Sequence, residues 1–179
     1  MSEKGEPRDE QSLSAPEPIE LLEAAFEKHG HGLWRFVLRL TGSQDEADEV
    51  VQETFGRAVK GRASFRGGNV STWLYAIALN VVRSRARASR GTTVRLEDET
   101  AASREPEPSE SAQTAESGLR VRAAIERLPE PQKVAVLLSR FQGLPYEEIA
   151  KIEECSVDAV KQRMRRAMER LREDLKDLT

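Results

Sequence analysis

A chain of 179 residues has room for one medium domain or two small ones, and a composition 38% hydrophobic, 5% aromatic and 33% charged suits two small helical units. So few aromatic residues exclude a large β-rich enzyme, while abundant Ala, Leu, Glu, Arg and Lys favour helices. A single cysteine, Cys155, excludes an internal disulfide and a cysteine-based zinc site, and fits a reducing compartment.

No run of about 18 apolar residues occurs, and no apolar leader follows Met1, so neither a membrane span nor secretion is supported and a cytoplasmic location is expected. The net charge of −3 conceals a segregated distribution. Residues 1–27 carry −6, residues 28–95 carry +7, residues 96–118 carry −6 and residues 119–179 carry +2. Two basic blocks separated by an acidic spacer point to a polyanion partner held at two places.

Residues 1–18 are acidic, polar and contain three prolines, the composition of a disordered tail. From Ile19 apolar residues recur at helical spacing through Leu22, Phe26, Leu33, Phe36, Val37 and Leu40, until Thr41-Gly42 stops the helix. Ser43 and Glu46 form a capping box, in which the Ser accepts from the backbone three residues on and the Glu reaches back. The helix they open runs from about Gln44 to Lys60, with Ala47, Val51, Phe55 and Ala58 inward and Asp48, Glu49, Gln52 and Glu53 outward. Gly61 and Gly67-Gly68 then bracket a basic loop containing Arg62, Phe65 and Arg66. Ser71 is suited to cap a third helix with Leu74, Ile77, Ala78, Val81 and Val82 buried. That helix ends in Arg83, Arg85, Arg87 and Arg90 with no acid among them, which complements its dipole and suits phosphate contact.

Residues 96–118 hold almost no large apolar groups, so they cannot repay the entropy of folding and read as a flexible acidic linker. Leu119 to Leu128 is predicted helical. Pro129 then opens a helix whose apolar face is Val134, Leu137, Leu138 and Phe141, and Gly143 ends it. Tyr146 to Ile152 is a short helix, residues 153–155 turn the chain, and Ser156 caps a helix to about Leu175. A short helix, a tight turn and a capped basic helix make a helix-turn-helix pattern. On its last helix Val160, Met164, Ala167, Met168, Leu171 and Leu175 share the inner side. Asp158, Ala159, Gln162, Arg165 and Arg166 lie opposite, with Lys161 and Arg163 on the phosphate-facing flanks.

His29 and His31, with Glu23 or Glu27, are the one combination with any metal-ligand character. Beside the helix-weakening Gly30 they read instead as surface or interface groups, so no metal and no cofactor is expected. Cys155 falls where the bend needs a small buried group. Trp73 is either a base-stacking platform or packing between the first and third helices. With no nucleophile–base pair and no glycine-rich phosphate cradle after a strand, the chain does not read as an enzyme.

Three blocks, in order, resemble the extracytoplasmic-function (ECF) group of sigma-70 family RNA polymerase sigma factors. Ala47-Asp48-Glu49-Val50-Val51-Gln52-Glu53-Thr54-Phe55 is similar to that family's A-E-D-L-V-Q-E-x-F stretch, with the two acids exchanged. Phe65-Arg66-Gly67, Thr72-Trp73-Leu74-Tyr75-Ala76-Ile77-Ala78 and Asn80 resemble its minus-ten segment. Leu128-Pro129-Glu130, Gly143-Leu144-Pro145-Tyr146-Glu147-Glu148-Ile149-Ala150, Val160-Lys161-Gln162-Arg163 and Arg166-Ala167 resemble its minus-thirty-five reader.

The resemblance covers about residues 19–95 and 119–175 and implies an all-α chain of two domains: sigma region 2 over 19–95 and sigma region 4 over 119–179. It implies that Asp48, Glu49, Gln52 and Phe55 dock on the polymerase core. Phe65, Arg66, Asn69, Asn80, Arg83 and Arg87 would hold the minus-ten strand. Ser156, Asp158, Ala159, Lys161, Gln162, Arg163, Arg165 and Arg166 would meet the minus-thirty-five duplex. The implied partners are core RNA polymerase, promoter DNA and an anti-sigma factor. Glu153-Glu154 depart from the family's Leu-Gly, leaving the bend without its glycine and placing an acid at a core position. Ala159 replaces a common Thr, Gln162 a Ser and Ser84 an Asp. The alternative is a helix-turn-helix regulator whose first domain senses a signal or dimerises.

Overall fold

The computed structural model describes residues 18–65, 67–91 and 112–176, and among them every regular element is a helix. The first half holds α1 (Pro18–Thr41), α2 (Gln44–Gly61), a 3₁₀ turn (Arg62–Ser64) and α3 (Val70–Gly91). The second holds α4 (Ala112–Glu126), α5 (Glu130–Val136) prolonged by a π turn (Leu137–Phe141), α6 (Tyr146–Ile152) and α7 (Val157–Asp174). The tail expected over residues 1–18 falls outside the described residues up to residue 17, and so does the linker from 96 to 111.

The linker's last seven residues depart from expectation: α4 starts at Ala112, not at Leu119. Ala, Gln and Glu in this stretch are good helix formers, so the helix extends upstream of its apolar residues.

α1 runs unbroken through His29-Gly30-His31-Gly32. Gly32 has a packing reason: a Cβ there would stand 3.1 Å from Gln142 Oε1 and 3.2 Å from the Tyr75 hydroxyl. Gly42, at φ 81, ends the helix and donates from its N–H to the Leu38 carbonyl at 2.8 Å. Ser43 caps α2 by accepting from Glu46 N–H at 3.3 Å, half of the expected capping box. The Ser43 N–H goes instead to Thr41 Oγ1 at 3.4 Å.

The buried stripe of α2 is Ala47, Val50, Thr54 and Ala58, turned from the expected Ala47, Val51, Phe55 and Ala58. Thr54 tolerates burial because its hydroxyl donates to its own helix at Val50 O, 2.7 Å away. Phe55 then lies at the edge, half-buried, edge-on to Phe26 with ring centroids 4.7 Å apart. Pro129 is the cap of α5, not its first residue, and Pro131 occupies the first turn where no amide is missed.

Leu33, Phe36, Val50, Tyr75 and Leu79 from the first half are buried in one apolar cluster with Leu128, Leu137, Leu138, Ile149 and Val160 from the second. The core therefore crosses the boundary between the two helical sets, where α3 meets α6 and α1 meets the π turn. Ala25, Ala58 and Leu74 form a smaller cluster beneath Trp73 and Phe55.

The bend between α6 and α7 keeps its shape without glycine because Glu154 adopts φ 51, the left-handed region. That conformation costs a non-glycine residue about 1–2 kcal/mol, against about 0.5–1 kcal/mol of extra chain entropy lost by glycine. Glu154→Gly is expected to raise stability by up to about 1 kcal/mol, a Tm gain of about 2–4 °C in calorimetry. A lower Tm would contradict the strain.

Candidate nucleic-acid and partner interface

The expected docking face lies on the outer side of α2. Asp48, Glu49 and Gln52 are exposed there and Phe55 is half-buried. Neighbouring helices fix this face. Trp34 Nε1 donates to Asp48 Oδ1 at 2.7 Å from α1. Arg85 reaches from α3 to Glu49 at 2.5 Å and to Glu53 at 2.8 Å, and Arg57 closes on Glu53 at 2.6 Å. The Arg85 guanidinium, before Arg57, holds the Glu53 carboxyl below the ordinary glutamate range. Beside the acids, Phe26 and Val59 are 53% and 39% exposed. An aromatic and aliphatic patch bordered by ordered carboxylates suits a protein partner better than nucleic acid.

The loop before α3 turns on Gly67 and Gly68, at φ 86 and 102, backbone that only glycine adopts freely. Asn69, not the expected Ser71, caps α3: its Oδ1 accepts from Ser71 N–H at 3.0 Å and Ser71 Oγ at 2.8 Å, and Ser71 is buried. Phe65 tilts against Trp73 with centroids 5.1 Å apart, and the two border a recess of about 300 Å³ with Asn69, Thr72 and Ala76. Trp73 thus both packs and lines a cavity. Asn80 is exposed on α3, and Arg66 lies outside the described residues.

Two of the four arginines ending α3 are taken up by acids from distant segments. Arg83 donates to Glu130 at 2.7 Å and Glu153 at 3.0 Å, and Arg85 is the α2 bridge. Arg87 is exposed and donates to Ser84 Oγ at 3.1 Å; the Arg90 side chain lies outside the description.

In the helix-turn-helix, Ser156 accepts from Ala159 N–H at 3.1 Å and caps α7 as expected. Asp158, Lys161, Gln162, Arg165 and Arg166 are exposed, with Ala159 half-buried among them. Lys161 lies 3.4 Å from Asp158 and Arg165 lies 3.8 Å from Glu169, loose surface pairs a phosphate can displace. Arg163 departs from its expected flank: it turns inward to Glu153, whose side chain is 0% exposed, and to Cys155 Sγ at 3.4 Å. A carboxylate without water requires such a counter-charge. Burial pushes the half-buried Cys155 thiol up, consistent with packing.

The structure therefore sets the α2 face apart, and of the other two groups it brings together, among the described residues, only Arg83 and Arg163, through Glu153. Thr72 Oγ1 donates to Glu148 at 2.5 Å, Tyr75 OH to Gln142 at 2.8 Å, and Arg83 to Glu153 across the same seam. Sequence reasoning missed Glu130, Gln142 and Glu148. Glu153, an acid at a core position, was the only sign that a cation would have to come to it.

Comparison with known proteins divides the chain in the same order. The families described as "Sigma-70 region 2" and "Sigma-70, region 4" match residues 25–92 and 118–171. ECF RNA polymerase sigma factor EcfG of Rhodopseudomonas palustris is 36% identical over 137 residues, 76% of this chain and 75% of that one. The ECF RNA polymerase sigma-E factor of Escherichia coli is 36% identical over 154 residues, 79% of this chain and 80% of that one. Among solved structures, the sigma factor RpoE of Bartonella quintana in complex with the anti-sigma factor NepR superposes with a TM-score of 0.72. It is 26% identical, covering 88% of this chain and 98% of that one. CnrH, solved with the cytosolic domain of CnrY, has the same fold, with a TM-score of 0.67 at 23% identity over 90% and 91% of the two chains.

Arg85→Ala is expected to raise the Glu53 pKa towards the ordinary glutamate range in a carboxyl NMR titration, with Arg57 keeping part of the depression, at a stability loss of no more than about 1 kcal/mol. The sign follows from the depressed folded value: the pair stabilises above the ordinary pKa and is lost as pH falls through the lowered one. An unchanged Glu53 titration would show the bridge to be absent in solution.

Proposed function

The chain belongs to the ECF group of the sigma-70 family, and from that premise we propose how its surfaces divide the work of starting transcription. As a sigma factor it directs RNA polymerase core to promoters. Asp48, Glu49, Gln52 and Phe55 on α2 dock on the core. Phe65, Arg66, Asn69, Asn80, Arg83 and Arg87 receive the opened minus-ten strand, and Asp158, Ala159, Lys161, Gln162, Arg165 and Arg166 meet the minus-thirty-five duplex. Ser156 serves that contact by fixing the start of α7. Arg163 serves it by holding the bend through Glu153 and not by reaching phosphate. Residues 19–95 and 119–179 act as two working parts, joined through residues 96–118.

One observation carries this reading: a basic, exposed, capped α7 follows a tight turn, while a glycine and aromatic recess is built by the loop before α3 and by α3 itself, bordered on one side by Glu148 and Lys151 of α6. Opening a promoter costs a few kcal/mol for each unstacked base, which capture in a recess offsets. Duplex reading needs no recess, since each good bidentate contact from Gln162 or Arg165 to a base edge gives about 1–3 kcal/mol of discrimination. Lys161 and Arg166 add salt-dependent affinity without sequence information.

The chain performs no chemistry itself and works in the cytoplasm, where its polymerase and DNA are; no helix among the described residues is long and apolar enough to cross a membrane. An anti-sigma factor is a further partner, as NepR is for the similar sigma factor of Bartonella quintana. A purely regulatory helix-turn-helix protein has no need of the region 2 half.

Run-off transcription tests the reading, on a promoter identified by mapping transcripts after overexpression. Core polymerase plus this chain alone is expected to give the specific transcript. Gln52→Ala is expected to weaken core binding about ten-fold with DNA contacts intact. Arg165→Ala with Arg166→Ala is expected to leave core binding intact and lower promoter discrimination about ten-fold or more. No transcript from core plus chain would overturn the assignment, and equal defects in both variants would overturn the division of labour.

A further inference from the structure

The acids on the outer side of α2 are held in two chemically different ways. Arg85 takes Glu49 and Glu53 from α3 at 2.5 and 2.8 Å, so the guanidinium that fixes them also offsets their charge. Asp48 is held from α1, where Trp34 Nε1 donates to Oδ1 at 2.7 Å across 14 positions of sequence. An indole N–H is a neutral donor with no acceptor of its own. It fixes a carboxylate and leaves the negative charge in place.

Trp34 is itself firmly seated. Its ring is half-buried and packs on the apolar cluster that includes Leu33, Phe36 and Val37. His31, one turn earlier on α1, stacks on it at an interplanar angle of 17°, with centroids 6.4 Å apart. The body of the indole is thus held by neighbours while its polar edge reaches the surface of α2, a division to which tryptophan is suited. Beneath Asp48 the backbone is anchored by the buried Ala47 and Val50. What freedom remains is that of the Asp48 side chain. An aspartate on an exposed helix face otherwise samples several rotamers, and a partner that engages it must first select one.

We infer that Trp34 is a positioning residue of the polymerase-docking face: it presents Asp48 in one orientation with its charge intact, and so makes that acid, of Asp48, Glu49 and Glu53, the one poised for a cationic group of the core. This rests on the sigma-factor reading and deepens it. Trp34 need not touch the core, because its effect passes through Asp48. Arg85 does the opposite for Glu49 and Glu53, ordering them and muting them together.

Two consequences separate this role from plain helix packing. Removing the N–H leaves the charge of Asp48 where it was, so affinity for the core falls while its salt dependence does not change; removing the charge changes the salt dependence. The effect of the indole also vanishes once Asp48 is gone.

The test measures the affinity of full-length variants for core polymerase, by competition with labelled wild-type chain, at low and at physiological salt. Trp34→Phe keeps a ring on the apolar cluster and removes the donor. It is expected to lower affinity about three- to ten-fold, the effect of freeing one side chain, with the salt dependence of wild type. In an Asp48→Ala background the same change is expected to cost less than about two-fold. Asp48→Asn, which keeps an oxygen for the indole, is expected to flatten the salt dependence. A second readout is the indole cross-peak that Trp34→Phe removes from the proton–nitrogen NMR spectrum, one of two since the chain has two tryptophans. It is expected to move upfield in Asp48→Ala, as the charge-assisted bond is lost. Wild-type affinity in Trp34→Phe overturns the inference. So do equal losses in the two backgrounds, a flattened salt dependence in Trp34→Phe, an indole resonance indifferent to Asp48→Ala, or an Asp48→Ala chain that binds as wild type does. In all of these the wild-type chain still binds core and the sigma-factor reading stands, whereas a wild-type chain that fails to bind core overturns that reading and the inference with it.

Discussion

A carboxylate shut away from water dictates much of this molecule. Glu153 sits at the bend of the helix-turn-helix with its side chain inaccessible, and isolated burial of such a charge is too costly to persist. It is matched by Arg163 from its own domain and Arg83 from the other. The consequences spread outward. Arg163 faces the turn and not solvent, Arg83 is drawn away from the open surface of α3, and the next residue, Glu154, takes a left-handed backbone to complete the bend. A buried ion pair of this kind is weak evidence of net stability, but breaking it from one side is costly, so it specifies which surfaces meet.

Around that point the structure separates two kinds of surface. On α2, acids are ordered by Trp34 and Arg85 beside half-exposed aromatic groups, a pattern that a protein partner recognises through shape and a few anchors. On the loop, α3 and α7, cations and aromatic rings dominate, which suits a polyanion. The alternating charge along the chain thus corresponds to chemically different faces. The seam between halves joins α3 to α6 and leaves both the outer face of α2 and the basic face of α7 exposed.

Much of this was legible in the sequence, and the rest was hidden for identifiable reasons. Ser43 and Ser156 announce α2 and α7 because a hydroxyl before a helix has one preferred use, and Gly42 marks the end of α1 because it alone accepts φ 81 without strain. Between Asn69 and Ser71, both good caps two residues apart, local chemistry does not choose; the glycine turn before them does. The rotation of the α2 stripe depended on Thr54 satisfying its hydroxyl within its own helix, a choice invisible to hydrophobic periodicity. The engagements of Arg83 and Arg85 link residues 70 and 32 positions apart, so a basic run read along the chain looks free when it is paired in space. On the outer side of α2, Asp48, Glu49 and Gln52 are exposed as expected, but Glu53 is half-buried and the acids there are held by partners from two other helices.

The central claim is that this chain acts as a subunit of RNA polymerase, and purified components test it most directly. Size-exclusion chromatography of core enzyme mixed with a modest excess of the chain, at micromolar concentration and physiological salt, should yield a one-to-one complex eluting ahead of the free chain. Elution of the two as separate species, with no chain in the polymerase peak, would contradict the account.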